Sequence, residues 1–106
     1  MRTFNLLEAV SSNDQTPAAV ELQKSYGSGK GPGITGVVAF KIGTSSATLT
    51  VFGSADGTNF YTIKSVTEAD MTNDNAAFTI ALAPFMKATA TGVGTFTSMK
   101  VDIISD

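Results

Sequence analysis

The run Ala47-Thr-Leu-Thr-Val-Phe-Gly-Ser-Ala-Asp-Gly-Thr-Asn-Phe-Tyr-Thr-Ile63 alternates apolar and polar residues, breaks at an Asp-Gly pair and alternates again. Two antiparallel strands joined by a turn produce that pattern. Successive strand side chains point to opposite faces, so Ala47, Leu49 and Val51 share one side and Thr48 and Thr50 the other. Asp56-Gly57 suits a tight reversal that passes through positive φ, which glycine reaches without a Cβ clash. This hairpin constrains the fold to a β class and carries no reactive chemistry of its own.

The rest of the chain repeats the pattern. Gly36 to Ile42, with Val37, Val38, Ala39, Phe40 and Ile42, reads as a buried strand that Gly43-Thr-Ser-Ser46 turns into the hairpin. Ala77 to Leu82 alternates Phe78, Ile80 and Leu82 with Thr79 and Ala81, and Pro84 ends it. Phe85 to Thr91 and Ser98 to Ile104 are further strands, and Ala18 to Tyr26 is a short half-exposed one. Arg2 to Val10 is compatible with a first strand or with an arm that docks on a neighbouring surface. About seven to eight strands separated by turn signals predict one all-β domain, an antiparallel β-sandwich or jelly roll. Residues 1–10 form the strand or arm, and residues 11–106 the sandwich.

Composition narrows the chemistry. Seven Lys+Arg against nine Asp+Glu give a formal net charge of -2, and only 15% of residues are charged. Ser, Thr, Asn and Gly must then cover part of the surface, and a surface with few charges resists association weakly. No Cys is present, so the fold holds without a disulfide or a thiolate metal site. No His is present either, which removes the commonest general base and metal ligand. Glu68, Asp70 and Asp74 lie in a polar stretch where solvation keeps carboxylates ordinary. We expect no enzyme activity, no cofactor and no metal.

Three binding motifs fail on inspection. Gly27-Ser-Gly-Lys-Gly-Pro-Gly33 lacks the Ser or Thr after Lys30 and the following helix that a phosphate loop requires. Asp56-Gly57-Thr58-Asn59 lacks the spacing of a calcium loop, and Asp56 and Asn59 are expected to bond their own turn backbone. The lysines are scattered and the net charge has the wrong sign for a nucleic-acid partner. No apolar run approaches the roughly 20 residues that span a bilayer, and the N-terminal residues lack a secretory apolar core, so cytoplasmic synthesis without a membrane partner is expected.

Most phenylalanines fall in apolar strand patterns and read as core. Phe52 and Tyr61 are one step out of phase with their apolar neighbours. An aromatic on a polar face marks a subunit interface or a sugar platform, unless the strand is covered on both faces.

The segment Val51-Phe-Gly-Ser-Ala-Asp-Gly-Thr-Asn-Phe60 with Ile63, the Phe78-Thr-Ile80 strand, the Pro84-Phe85-Met86-Lys87 step and the closing Met99-Lys-Val-Asp-Ile103 strand together resemble a type of small tailed-bacteriophage virion protein. The Ser-x-Asp-Gly-Thr-Asn-Phe turn is also similar to turns in carbohydrate-binding and discoidin-like sandwich modules. Those modules usually expose Trp, which this chain lacks. The resemblance is to capsid decoration, or cement, proteins, with tail, fibre or head-completion parts and carbohydrate-binding modules as alternatives. It implies a structural protein on the capsid exterior that binds the major capsid protein across neighbouring subunits, as a homo-oligomer and most simply a trimer. The expected contact residues are Arg2, Phe4, Leu6 and Leu7 in the N-terminal segment, Lys30 and Pro32 in the glycine-rich loop, and Phe52 and Tyr61 on the hairpin.

Overall fold

A computed structural model describes residues 2–9, 17–22, 35–42, 47–70, 75–91 and 99–105. They form eight strands: β1 Arg2–Ala9, β2 Val20–Glu21, β3 Thr35–Ile42, β4 Thr48–Ser54, β5 Tyr61–Thr67, β6 Asn75–Ala81, β7 Phe85–Thr91 and β8 Met99–Ser105. A 3-10 turn, Glu68–Asp70, follows β5.

The pairing is nested. β1 pairs with β8, β2 with β7, β3 with β6 and β4 with β5, all antiparallel, so the chain runs as one long hairpin whose tip is the β4–β5 loop. Rolling that hairpin brings β3 beside β8 and β4 beside β7. The result is two four-stranded sheets, β1-β8-β3-β6 and β2-β7-β4-β5. This is the strand order of a jelly-roll β-sandwich, as the spacing of strands and turns predicts.

Alternation fills the space between the sheets. Leu49 and Val51 of β4, Met86, Ala88 and Ala90 of β7, Val38, Phe40 and Ile42 of β3, and Met99, Val101 and Ile103 of β8 are all buried. Phe40 is the largest fully enclosed side chain among the described residues, and its ring meets the half-buried Phe78 edge-on at 6.1 Å between centroids.

Two bulges account for residues that break strict alternation. In β1 the register shifts between Asn5 and Leu7, so Leu6 is an extra residue and both leucines turn inward at 2% exposure. Asn5 Nδ2 donates to the Leu7 carbonyl at 3.3 Å across the bulge and to Asp102 Oδ1 at 2.9 Å. In β5 the extra residue is Ile63, since Val51 pairs with Lys64 and Phe52 with Thr62. Its Cδ1 lies 2.7 Å from where a Cβ on Gly53 would sit, so glycine there lets the bulged chain approach.

Several boundaries differ from the sequence pattern. The β4–β5 reversal is wider than a tight Asp-Gly turn, because side chains of Ser54 and Asp56 organise a longer loop between Gly53 and Tyr61, the last pair of the ladder. β5 continues through Lys64 to Thr67, where the polar composition suggests a loop. β2 is only two residues long, and Leu22 beyond it is buried, its N–H donating to the Pro84 carbonyl at 2.8 Å. β3 and β4 lie in different sheets and do not pair.

Candidate functional site

The β4–β5 loop is built by its own side chains. Ser54, fully buried, accepts the N–H groups of Asp56 at 3.2 Å and Gly57 at 2.9 Å and donates its hydroxyl to Asp56 Oδ1 at 2.9 Å. That carboxylate also accepts the N–H groups of Thr58 at 2.8 Å and Asn59 at 2.9 Å, and the Asn59 side-chain amide at 3.0 Å. Donors from the Asn59 and Thr58 backbone, then from the side chains of Asn59 and Ser54, hold the Asp56 carboxyl far below the usual carboxylate range. Asp56 and Asn59 therefore bond their own turn, as expected. Gly57 adopts φ of +80°, and the Phe85 ring lies 3.2 Å from where its Cβ would be.

This loop delivers Phe60 to the outer face of the β2-β7-β4-β5 sheet. Phe52 on β4 pairs in register with Lys87 on β7, and both point away from the core, alternating with the buried Val51, Met86 and Ala88. The Lys87 ammonium sits 4.2 Å from the centroid of Phe60 and 5.4 Å from that of Phe52. All three side chains are half-buried. Among the described residues, Lys87 has no acidic partner: the ion pairs found both belong to Lys100. Cation–π attraction holds the ammonium between the rings, worth about 0.5–1 kcal/mol at an exposed site. Among the described residues its N–H donors meet no acceptor.

Beyond Phe52 the same face carries hydroxyls in register. Thr91, Thr48 and Thr67 form one row across β7, β4 and β5, and Thr89, Thr50 and Ser65 the next. Neighbouring strands lie about 4.8 Å apart, so each row is an evenly spaced line of hydroxyl and methyl groups. Thr50 Oγ1 and Ser65 Oγ share a hydrogen bond of 3.0 Å. The six row positions themselves are uncharged, and the Asp70 carboxylate accepts from the Thr67 hydroxyl at one end.

Phe52 is thus on the outer face, as its phase requires. Tyr61 is 55% exposed, opposite Gly53 at the start of β5. Phe4, Leu6 and Leu7 are buried against β8 and the opposing sheet, so as apolar contacts for a partner they are corrected: the bulge at Leu6 turns them into the core. Arg2 is part of β1 by its backbone. Lys30 and Pro32 lie outside the described residues, as does Asp74 of the acidic stretch. Asp70 caps its own turn by accepting the Thr67 N–H at 2.8 Å and the Thr67 hydroxyl at 3.3 Å. Among the described residues no three acidic side chains gather as metal ligands, and no helix is long and apolar enough to cross a membrane.

Phe60 and Lys87 are the members of this cluster that sequence reading misses. The alternation Phe85-Met86-Lys87 places Lys87 on an outer face, but only the β4–β7 register sets it beside Phe52. Comparison with family models, with curated proteins and with solved structures gives no match to this chain.

Proposed function

We propose that this chain is a non-enzymatic structural protein of a tailed-bacteriophage virion, a capsid decoration protein that attaches through the outer face of its β2-β7-β4-β5 sheet. The observation that carries the reading is the Lys87 ammonium between Phe52 and Phe60, without an acidic partner among the described residues, beside rows of hydroxyl side chains. Such a face has unused hydrogen-bond donors and apolar area, and little charge to be desolvated when a partner covers it. The jelly roll is an architecture of viral capsid and lectin domains, which supports the reading by analogy of fold. The resemblance of the Val51–Phe60, Phe78–Ile80, Pro84–Lys87 and Met99–Ile103 segments together to phage virion proteins adds to it.

In this role the shell subunit supplies a carboxylate to Lys87 and an apolar contact to Phe52, and the hydroxyl rows bond the subunit's polar groups. A copy that bridges two subunits of the expanded shell, and does not bind the precursor, stabilises the expanded state by mass action. Quantitative mass spectrometry of purified particles tests this. A ratio of this chain to the main shell protein between about one third and one is expected for a protein spread over a symmetric lattice. A very low ratio would assign it to a tail, fibre or head-completion part, and absence from intact particles would overturn the virion reading.

One observation favours a second reading, a carbohydrate-binding module. Phenyl rings beside an ammonium and a row of hydroxyls can stack on a sugar ring and bond its oxygens. A rise in melting temperature with a soluble glycan, lost in Phe52→Ser, would establish that reading instead.

A further inference from the structure

Asp56-Gly57 is the one place in the chain where an aspartate or asparagine precedes glycine. Glycine has no side chain to shield its amide nitrogen, so this pair is the one most open to succinimide chemistry. In that reaction the Gly57 nitrogen attacks Cγ of Asp56 and a five-membered ring closes. The amide proton and the carboxyl hydroxyl leave together as water. A second water then opens the ring at either carbonyl, giving back aspartate or giving isoaspartate, whose main chain runs through the side-chain carbon. The step needs a nitrogen free to reach Cγ, and a carboxyl that can turn toward it and carry a proton.

The folded loop withholds each of these. The Gly57 N–H donates to Ser54 Oγ at 2.9 Å. Asp56 Oδ1 accepts the Ser54 hydroxyl at 2.9 Å and the N–H groups of Thr58 at 2.8 Å and Asn59 at 2.9 Å, and Oδ2 accepts the Asn59 side-chain amide at 3.0 Å. These bonds fix the orientation of the carboxylate and favour its ionised form. Ser54 restrains both reacting groups at once, because its single buried oxygen takes the Gly57 N–H and gives its own proton to Asp56. The vulnerable residue is also the one the turn demands. Gly57 stands at φ of +80° with the Phe85 ring 3.2 Å from where its Cβ would be, so a residue with a side chain is strained there.

We propose that Asp56 is this chain's site of spontaneous isoaspartate formation, and that Ser54 keeps it closed while the loop is folded. Modification then waits on local opening of the loop, a low-energy event compared with global unfolding. Once formed, isoaspartate adds a carbon to the main chain between Ser54 and Thr58, and the bonds that built the loop no longer close in the same register.

The test uses the isolated full chain and does not rest on the binding role given to this face. Folded wild type, wild type in guanidinium chloride, and the variants Ser54→Ala and Asn59→Ala are incubated at neutral pH. Isoaspartate is located by peptide mapping with fragmentation that distinguishes it from aspartate, and circular dichroism confirms that each variant is folded. Unfolded wild type is expected to form isoaspartate at residue 56 about tenfold or more faster than folded wild type. Folded Ser54→Ala should form it several-fold faster than folded wild type, and Asn59→Ala, which leaves the Gly57 N–H held, should show a smaller rise. Hydrogen exchange of the Gly57 amide in wild type gives a check that needs no variant: it should be slowed relative to the unfolded chain. Equal rates of modification in folded and unfolded wild type would overturn the proposal. So would a Gly57 amide that exchanges at the unfolded rate, or a folded Ser54→Ala that modifies no faster than wild type or Asn59→Ala.

Discussion

The outer faces of the two sheets are built on one core and differ in what surrounds Lys100 and Lys87. On the β1-β8-β3-β6 face, Lys100 lies 3.7 Å from Glu8 and 3.6 Å from Asp102, and Asp102 also accepts from Asn5. The carboxylates and ammonium there answer one another across β1 and β8. On the β2-β7-β4-β5 face, the Lys87 ammonium has aromatic rings and no described carboxylate, and threonines fill the rows beside it. A charge paired within the fold, as at Lys100, has less to offer a partner, whereas Lys41 on the same face is exposed, lies in register with Lys100 and has no acidic partner among the described residues. A face with a cation that has no acidic partner among the described residues, half-buried rings and ordered hydroxyls retains that capacity.

The largest effect should come from the shared core, which tests whether the two faces belong to one cooperative unit. Phe40→Ala is expected to cost about 3–5 kcal/mol, with both sheets lost in one chemical-denaturation transition. Two separate transitions would mean that the faces stand on independent units. Next is the loop that delivers Phe60. Gly57→Ala places a Cβ against Phe85 at positive φ and should cost about 1–2 kcal/mol, read as a lower denaturation midpoint and weaker ligand or shell binding.

The same loop gives a pH signature that the other face lacks. The folded Asp56 carboxyl titrates below its unfolded value, so its contribution is fully present above the unfolded pKa and is lost as pH falls toward the folded one. Thermal melts of wild type and Asp56→Asn should therefore differ most above about pH 5 and begin to approach one another only below about pH 4, the ordinary aspartate value, with the gap closing as pH falls further. A gap that is constant with pH would mean that the ionised carboxylate contributes nothing.

The smallest stability effects sharpen the contrast in binding. Lys87→Ala should lose about 0.5–1 kcal/mol of stability, the size of an exposed cation–π contact. Lys100→Ala should lose at most about 1 kcal/mol, since its ion pairs are long and exposed.

The sequence carries the fold further than the site. Alternation in β3, β4, β7 and β8 and the breaks at Pro84 and Gly57 suffice to predict a sandwich, because period-2 burial and turn chemistry are local. The Leu6-Leu7 doublet is ambiguous between arm and strand until the bulge is seen, since a bulge is a property of the pair β1 and β8. The Asp56 loop is legible because its bonds join residues at most three apart. The cluster of Phe52, Phe60 and Lys87 is not, since it depends on which strand lies beside β4 and in what register.

The most direct test of the account is the occupancy of particles assembled with wild-type chain, with Phe52→Ser and with Lys100→Ala, measured by quantitative mass spectrometry against the main shell protein. The account predicts near-full occupancy for wild type and Lys100→Ala and a loss of at least tenfold for Phe52→Ser, whose isolated chain remains folded. Equal occupancy of all three, or a loss confined to Lys100→Ala, would contradict the assignment of binding to the Phe52 and Lys87 face.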